Sequence, residues 1–216
     1  MKKFWGFLLV IVLMTSCGEY QSLLKSNDYN LVYKKAIEYY NKGDYQRAMN
    51  LLDGVRSVFV GQAKAQNIAY YRAFCSYNMK DYQIASDLFK QFIQTYPESS
   101  FAEECLYMMG FCDYKASPKP RLDQQVTEKA IREFQLYLSR YPYSMRKDKV
   151  NTYMDEMRDK LSYKAYLSAK NYYLREHYKA AVISLQNCLK DYPGSKYREE
   201  IMYMLFVSKY QMAVTS

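Results

Sequence analysis

The chain's 216 residues suffice for one sizeable core or a short array of repeats and exclude several large domains. Gly (7) and Pro (5) are scarce, at about half of average usage, which argues against collagen-like, low-complexity and turn-rich β architectures. The net charge of +9 permits an acidic partner, anionic lipid or nucleic acid and selects none of them. Tyrosine is in large excess, 26 residues against 10 Phe and 1 Trp, and that excess needs a structural reason.

Residues 1–16 read as a secretory signal: Lys2 and Lys3 form a positive start, and Phe4 to Met14 is an apolar run that leads into Thr15-Ser16-Cys17-Gly18. At about 1.5 Å per residue such a run covers only half of a hydrocarbon core of roughly 30 Å, so it is too short to span. Small residues directly before a cysteine resemble the bacterial lipobox, which implies that Cys17 becomes the lipidated N-terminus. Gly18 in place of the Asp that retains many lipoproteins in the inner membrane implies the outer membrane. Residues 17–28 then read as a lipidated N-terminal tether, and 29–216 as the folded domain.

That domain is periodic. Tyr recurs at 33, 70, 107, 166 and 203, and again seven residues after each, at 40, 77, 114, 173 and 210. The steps are 37, 37, 59 and 37 residues, one period with a single extension of 22. Small residues share the register (Ala36, Ala73, Gly110, Ala169; then Ala48, Ala85, Ala130, Ala181), large apolar ones follow (Leu52, Phe89, Phe134, Leu185), and Pro97, Pro142 and Pro193 close units two to four. The pattern resembles the tetratricopeptide repeat, in which small residues let an A and a B helix approach and a proline stops the second. It predicts an all-α, right-handed superhelix of four complete repeats and a fifth reduced to its A helix. Asn41 to Tyr45, Met79 to Tyr82 and Arg175 to Tyr178 are the expected A-to-B turns, and in unit one, which lacks the Pro, Gly61 is expected to end the B helix.

Both halves of the extension can be placed. Ser117-Pro118-Lys119-Pro120 cannot be helical and predicts a loop inside repeat three. Val150, Tyr153, Met154, Met157 and Leu161 are spaced by threes and fours, so helix A of repeat four is expected to be unusually long or preceded by an extra helix.

Site chemistry is sparse. The single histidine, His177, takes a turn position that Asp44 and Asp81 hold elsewhere, and reads as a solvated turn residue. Cys75, Cys105, Cys112 and Cys188 have no disulfide spacing and read as small buried apolar groups. No phosphate loop, zinc spacing or nucleophile motif occurs, so no enzyme, cofactor or metal is expected.

A lipobox followed by repeats ending in Tyr-Pro-x-Ser (Tyr96 to Ser99, Tyr141 to Ser144, Tyr192 to Ser195), with Leu122-Asp123-Gln124 and Met157 to Leu161, resembles the BamD family of outer-membrane β-barrel assembly lipoproteins in its Bacteroidota form. The resemblance implies a periplasm-facing adaptor that docks on a BamA-like barrel subunit and helps deliver unfolded outer-membrane proteins, with no role for nucleic acid. The family docks through its C-terminal repeats, which points to the polar side of the long helix (Arg158, Lys160, Arg175). The A-helix rows Tyr33/Tyr40, Tyr70/Tyr77 and Tyr107/Tyr114, with Phe74, Phe111 and Lys115, are either packing between neighbouring helices or a groove for client segments. The alternatives are another repeat adaptor of the envelope and a SusD-type glycan-binding lipoprotein; the latter carries far larger insertions than the 22 residues here.

Overall fold

The computed structural model describes residues 18–214, so the expected signal and Cys17 lie outside the described residues. Among the described residues all regular structure is helical: α1 (residues 18–24), α2 (Tyr29–Asn41), α3 (Tyr45–Val55), α4 (Lys64–Asn78), α5 (Tyr82–Thr95), α6 (Ala102–Ala116), α7 (Gln125–Arg140), α8 (Lys147–Leu174), α9 (Tyr178–Asp191) and α10 (Arg198–Val214). In chain order α2 to α9 alternate as the A and B helices of four repeats, with α2/α3, α4/α5 and α8/α9 packed as pairs, and α10 takes the place of a fifth A helix. The chain divides into two compact units between Cys112 and Asp113, within α6.

Three of the A-to-B turns are built identically. In the first, the Gly43 amide donates to the Tyr40 carbonyl (3.0 Å) and the Asp44 amide to that of Tyr39 (2.9 Å), a Schellman closure of the helix. Lys80/Asp81 and Glu176/His177 repeat the same pair of bonds. The closure requires one left-handed residue, and Gly43 (φ 81), Lys80 (φ 68) and Glu176 (φ 60) supply it. Asp44 then starts the next helix, accepting from the Arg47 amide at 3.2 Å.

The Tyr-Pro-x-Ser motif has an equally local cause. Tyr96, Tyr141 and Tyr192 cap α5, α7 and α9 with φ of -130, -127 and -131 and ψ of 59, 65 and 66, outside the helical region that a following proline disfavours. The serine then turns the chain into the next A helix. Ser99, Ser144 and Ser195 accept through Oγ from the amides of Phe101, Arg146 and Tyr197 at 3.2, 3.2 and 3.3 Å. Repeat one differs from expectation here. Helix α3 ends at Val55, next to Gly54, whose low helical propensity weakens the last turn; a run of turns follows, and Gly61 (φ 78) falls in that run rather than at the helix end.

In the first unit, Val32, Ala36, Ala48, Leu51, Leu52, Val55 and Ile68 form the core of repeat one and its junction with α4. The segment read as a tether is also ordered from residue 18. Leu23 of α1 is buried in that core, Glu19 pairs with Lys35 at 2.9 Å, and the Tyr20 hydroxyl accepts from Asn50 at 3.0 Å. Residues 18–24 are therefore a docked helix.

In the second unit, Tyr166, Ala169, Ala181, Leu185, Cys188, Ile201 and Met204 form the core of α8, α9 and α10. The extension resolves into the expected loop, residues 117–124, and one continuous α8 of 28 residues, against 13 for α2 and 15 for α4. Val150, Met154 and Met157 face inward as their spacing predicts. The seven small positions with a methyl side chain (Ala36, Ala48, Ala73, Ala85, Ala130, Ala169 and Ala181) are all fully buried, which lets helix axes approach to about 8–10 Å.

Candidate functional site

The tyrosine excess becomes a continuous aromatic seam on the A helices of the first unit. The Tyr40 ring meets Tyr45 at 5.5 Å and Tyr71 at 4.9 Å. Tyr71 meets Tyr70, Tyr70 meets Phe74 at 4.6 Å, Phe74 meets Tyr77, Tyr77 meets Phe111, and Phe111 stacks on Tyr107 at 5.7 Å. Edge and tilted contacts of this kind each add about 0.5–1.5 kcal/mol beyond burial, so a tyrosine at one position draws a ring to the next repeat. Tyr33 stands at the end of the seam against Phe59, with the Lys64 ammonium 5.8 Å from its ring centre.

The hydroxyls have their own register. Tyr70 donates to Glu104 Oε2 at 2.8 Å and Tyr166 to Glu200 Oε2 at 2.7 Å, and both pairs are 34 residues apart. In these two repeats the A helix thus ties its tyrosine to a carboxylate of the next A helix. Burial, then the Glu104 hydrogen bond and charge, raise the Tyr70 phenol above its ordinary value, and burial pushes that of Tyr40 up to about 12. The sequence reading missed Glu104 and Glu200, although their spacing of 96 residues equals that of Tyr70 and Tyr166.

The seam is not sealed. Between α2 and α4 a cavity of about 520 Å³ is lined by Tyr33, Ile37, Glu38, Asn67, Tyr70, Tyr71 and Phe101. Tyr114 and Lys115 fall in the second unit instead. There the Tyr114 hydroxyl donates to Glu156, which with burial pushes its phenol up to about 12, and its ring lies 4.5 Å from Tyr153. Exposed Lys115 lines a smaller cavity beside Tyr114, Glu156 and Lys160.

A larger opening in the second unit escaped the sequence reading. It has a volume of about 790 Å³ and is walled by the stacked rings Tyr163, Tyr166 and Tyr197, with Arg121, Lys164 and Lys170 at its edge. Tyr166 and Tyr197 lie 4.3 Å apart at 13°. Only folding brings Arg121 of the loop over α8, so no linear pattern announces this site. Lys170 bridges Tyr166 and Glu200 at 2.8 Å each, and those bonds raise its ammonium while lowering the Glu200 carboxyl.

Of the three residues expected on the polar side of the long helix, Arg158 is exposed and pairs with Asp155 at 3.0 Å, and Arg175 is exposed at the helix end. Lys160 is differently employed. It donates to Ser117 Oγ at 2.6 Å; Ser117 meets Thr127 Oγ1 at 2.6 Å; Thr127 donates to Gln124 Oε1 at 2.7 Å. Gln124 in turn donates to the Lys119 and Leu122 carbonyls at 2.8 and 3.1 Å. Since the Thr127 proton goes to Gln124, Ser117 must be the donor to Thr127, and the chain runs in one direction from Lys160 to the loop backbone. Desolvation lowers the Lys160 ammonium accordingly. Lys164 adds a bond to the Leu122 carbonyl at 2.7 Å. Lys160 thus holds the 117–124 loop against α8.

Helix α10 presents the largest uncovered apolar face among the helices of the second unit: Met202 is 51% exposed, Tyr203 64%, Phe206 71% and Tyr210 58%. Tyr166, which holds the place of Tyr203 one repeat earlier, is 5% exposed. Cys75, Cys105, Cys112 and Cys188 are buried thiols outside any disulfide. Among the described residues no helix is long and apolar enough to cross a membrane.

Paired helices with small residues at their crossings, left-handed A-to-B turns and prolines after the B helices define a tetratricopeptide-type repeat protein. A family model described as outer membrane lipoprotein, YfiO, matches residues 25–216, and the chain belongs to that family, the BamD-type lipoproteins. No curated protein matches it.

Proposed function

We propose that this protein is a lipid-anchored scaffold on the periplasmic face of the outer membrane that serves the β-barrel assembly machinery. Its signal sequence is removed, Cys17 carries the acyl chains, its C-terminal repeats dock on a BamA-like barrel subunit and neighbouring components, and its A-helix face receives unfolded outer-membrane proteins. Its role is binding rather than catalysis.

The observation that carries the docking part is the α10 face. Four large apolar side chains stand exposed on α10 at positions whose counterparts in earlier repeats are buried or half-buried, and such a face favours a protein partner. Exposed Arg158 on α8 and Arg175 at its C-terminal end are polar candidates for the same docking. The client part is supported by the half-open aromatic cavities: Tyr rings accept apolar side chains on their faces and backbone groups at their hydroxyls without strict sequence demand.

Co-purification from detergent-solubilised envelopes tests the proposal. Met202→Ser with Phe206→Ser should reduce recovery of the barrel subunit while leaving helix content intact. Unchanged recovery refutes docking through α10. Recovery of a TonB-dependent transporter in place of the barrel subunit would favour the SusD-type alternative. Palmitate labelling lost in Cys17→Ala supports the anchor, and labelling that persists removes it.

A further inference from the structure

Three boundaries between repeats share one plan: Tyr96-Pro97-Glu98-Ser99-Ser100, Tyr141-Pro142-Tyr143-Ser144-Met145 and Tyr192-Pro193-Gly194-Ser195-Lys196. The fold requires the tyrosine cap, the proline and the serine that starts the next helix. It places no demand on the residues flanking the serine, which are polar or glycine in the first and third boundaries. In the middle boundary these two positions hold Tyr143 and Met145, with relative exposures of 98% and 103%. Burial therefore does not explain them.

The loop is also stiff and basic. Ser144, between the two exposed residues, shares a hydrogen bond of 2.6 Å with the Tyr137 hydroxyl, and Tyr137 is fully buried. Residues 140–149 carry Arg140, Arg146, Lys147 and Lys149 against one acid, Asp148. We propose that this loop is a membrane-surface contact: Tyr143 and Met145 enter the interfacial layer of a bilayer that contains anionic phospholipid, and the surrounding cations meet headgroup phosphates. Tyrosine favours that layer because its ring is apolar and its hydroxyl stays wet. A tip with two apolar side chains is far smaller than the roughly 800 Å² per partner of a stable protein interface, yet it suits a wedge held by cations. Because Ser144 is already fixed, little conformational freedom is lost on insertion. The inference rests on the membrane location proposed above, and the test separates the two.

The one tryptophan of the sequence, Trp5, lies in the segment whose removal is proposed above, so the mature chain carries none. Tyr143→Trp in the mature chain gives a single reporter at the loop, and Glu98→Trp gives one at the equivalent position of another boundary. Each is mixed with phosphatidylglycerol–phosphatidylethanolamine vesicles, floated, and read by emission and by quenching from brominated acyl chains. A blue shift and strong quenching at position 143, with neither at 98, is the expected result, and Lys147→Gln with Lys149→Gln should lower the partition constant of the loop reporter into the vesicles about thirtyfold, from the usual contribution per surface cation. A chain that fails to float, equal quenching at both positions, a floated chain whose 143 reporter stays water-exposed, or a shift that needs added envelope protein and shows no lipid quenching would each overturn the proposal. A failed lipoprotein assignment reads out separately, as absent acylation at Cys17.

Discussion

The three matched turns allow a test in which only the backbone changes. Gly43, Lys80 and Glu176 all sit at positive φ, at 81, 68 and 60, in the same two-bond closure. For a residue with a Cβ the left-handed conformation costs roughly 1–2 kcal/mol, whereas glycine costs about 0.5–1 kcal/mol more than alanine in chain entropy on folding. The difference, about 0.5–1 kcal/mol, should appear with opposite signs at equivalent sites. Gly43→Ala should destabilise by that amount, because a Cβ there would meet no atom within 4 Å and only the dihedral matters. Lys80→Gly and Glu176→Gly should stabilise by a similar amount, since both side chains are exposed. Urea unfolding read by helical circular dichroism resolves such shifts when the slope is unchanged. A neutral Gly43→Ala, or a destabilising Lys80→Gly, would refute the claim that the turn position is held left-handed by its closure and not by its side chain.

Other perturbations address packing and charge. Ala85→Leu and Ala181→Leu, at fully buried crossings, should each overpack the array by about 1–3 kcal/mol, seen as a lower urea midpoint; parent-like unfolding would mean the repeat register is wrong. Lys160→Ala removes the head of the hydrogen-bond chain to Ser117 and should cost about 1.5–3 kcal/mol, with faster proteolysis within 117–124, while Arg158→Ala should do neither. Burial pushes the Cys75 and Cys105 thiols and the Tyr40 phenol up to about 12, from ordinary values of 9.0 and 10.0. Because these folded values are raised, the stability they contribute is complete below pH 9 and lost as pH rises toward 12. Urea midpoints should therefore hold steady to pH 9 and fall by pH 11, and a level profile through pH 11 would contradict the burial of these groups.

The repeat architecture was legible in the sequence because its determinants are local and recur. Alanine at a crossing, proline after a cap and a polar residue at a turn each act on their own backbone, so the 37-residue period located helices, turns, the 117–124 loop and the fully buried positions before any contact was known. Where the local signal was missing, as at Val60-Gly61, the end of α3 was misplaced by several residues. Side-chain partners were not legible in that way. That Tyr70 and Tyr166 hand their hydroxyls to Glu104 and Glu200, that Lys160 serves the loop, that Arg121 closes over α8, and that Tyr143 and the α10 face stay bare depends on which helix packs beside which. Those facts belong to the tertiary structure, because a side chain's exposure and its hydrogen-bond partners are set by neighbours distant in sequence, whereas the backbone of a helical repeat is set by its own few residues.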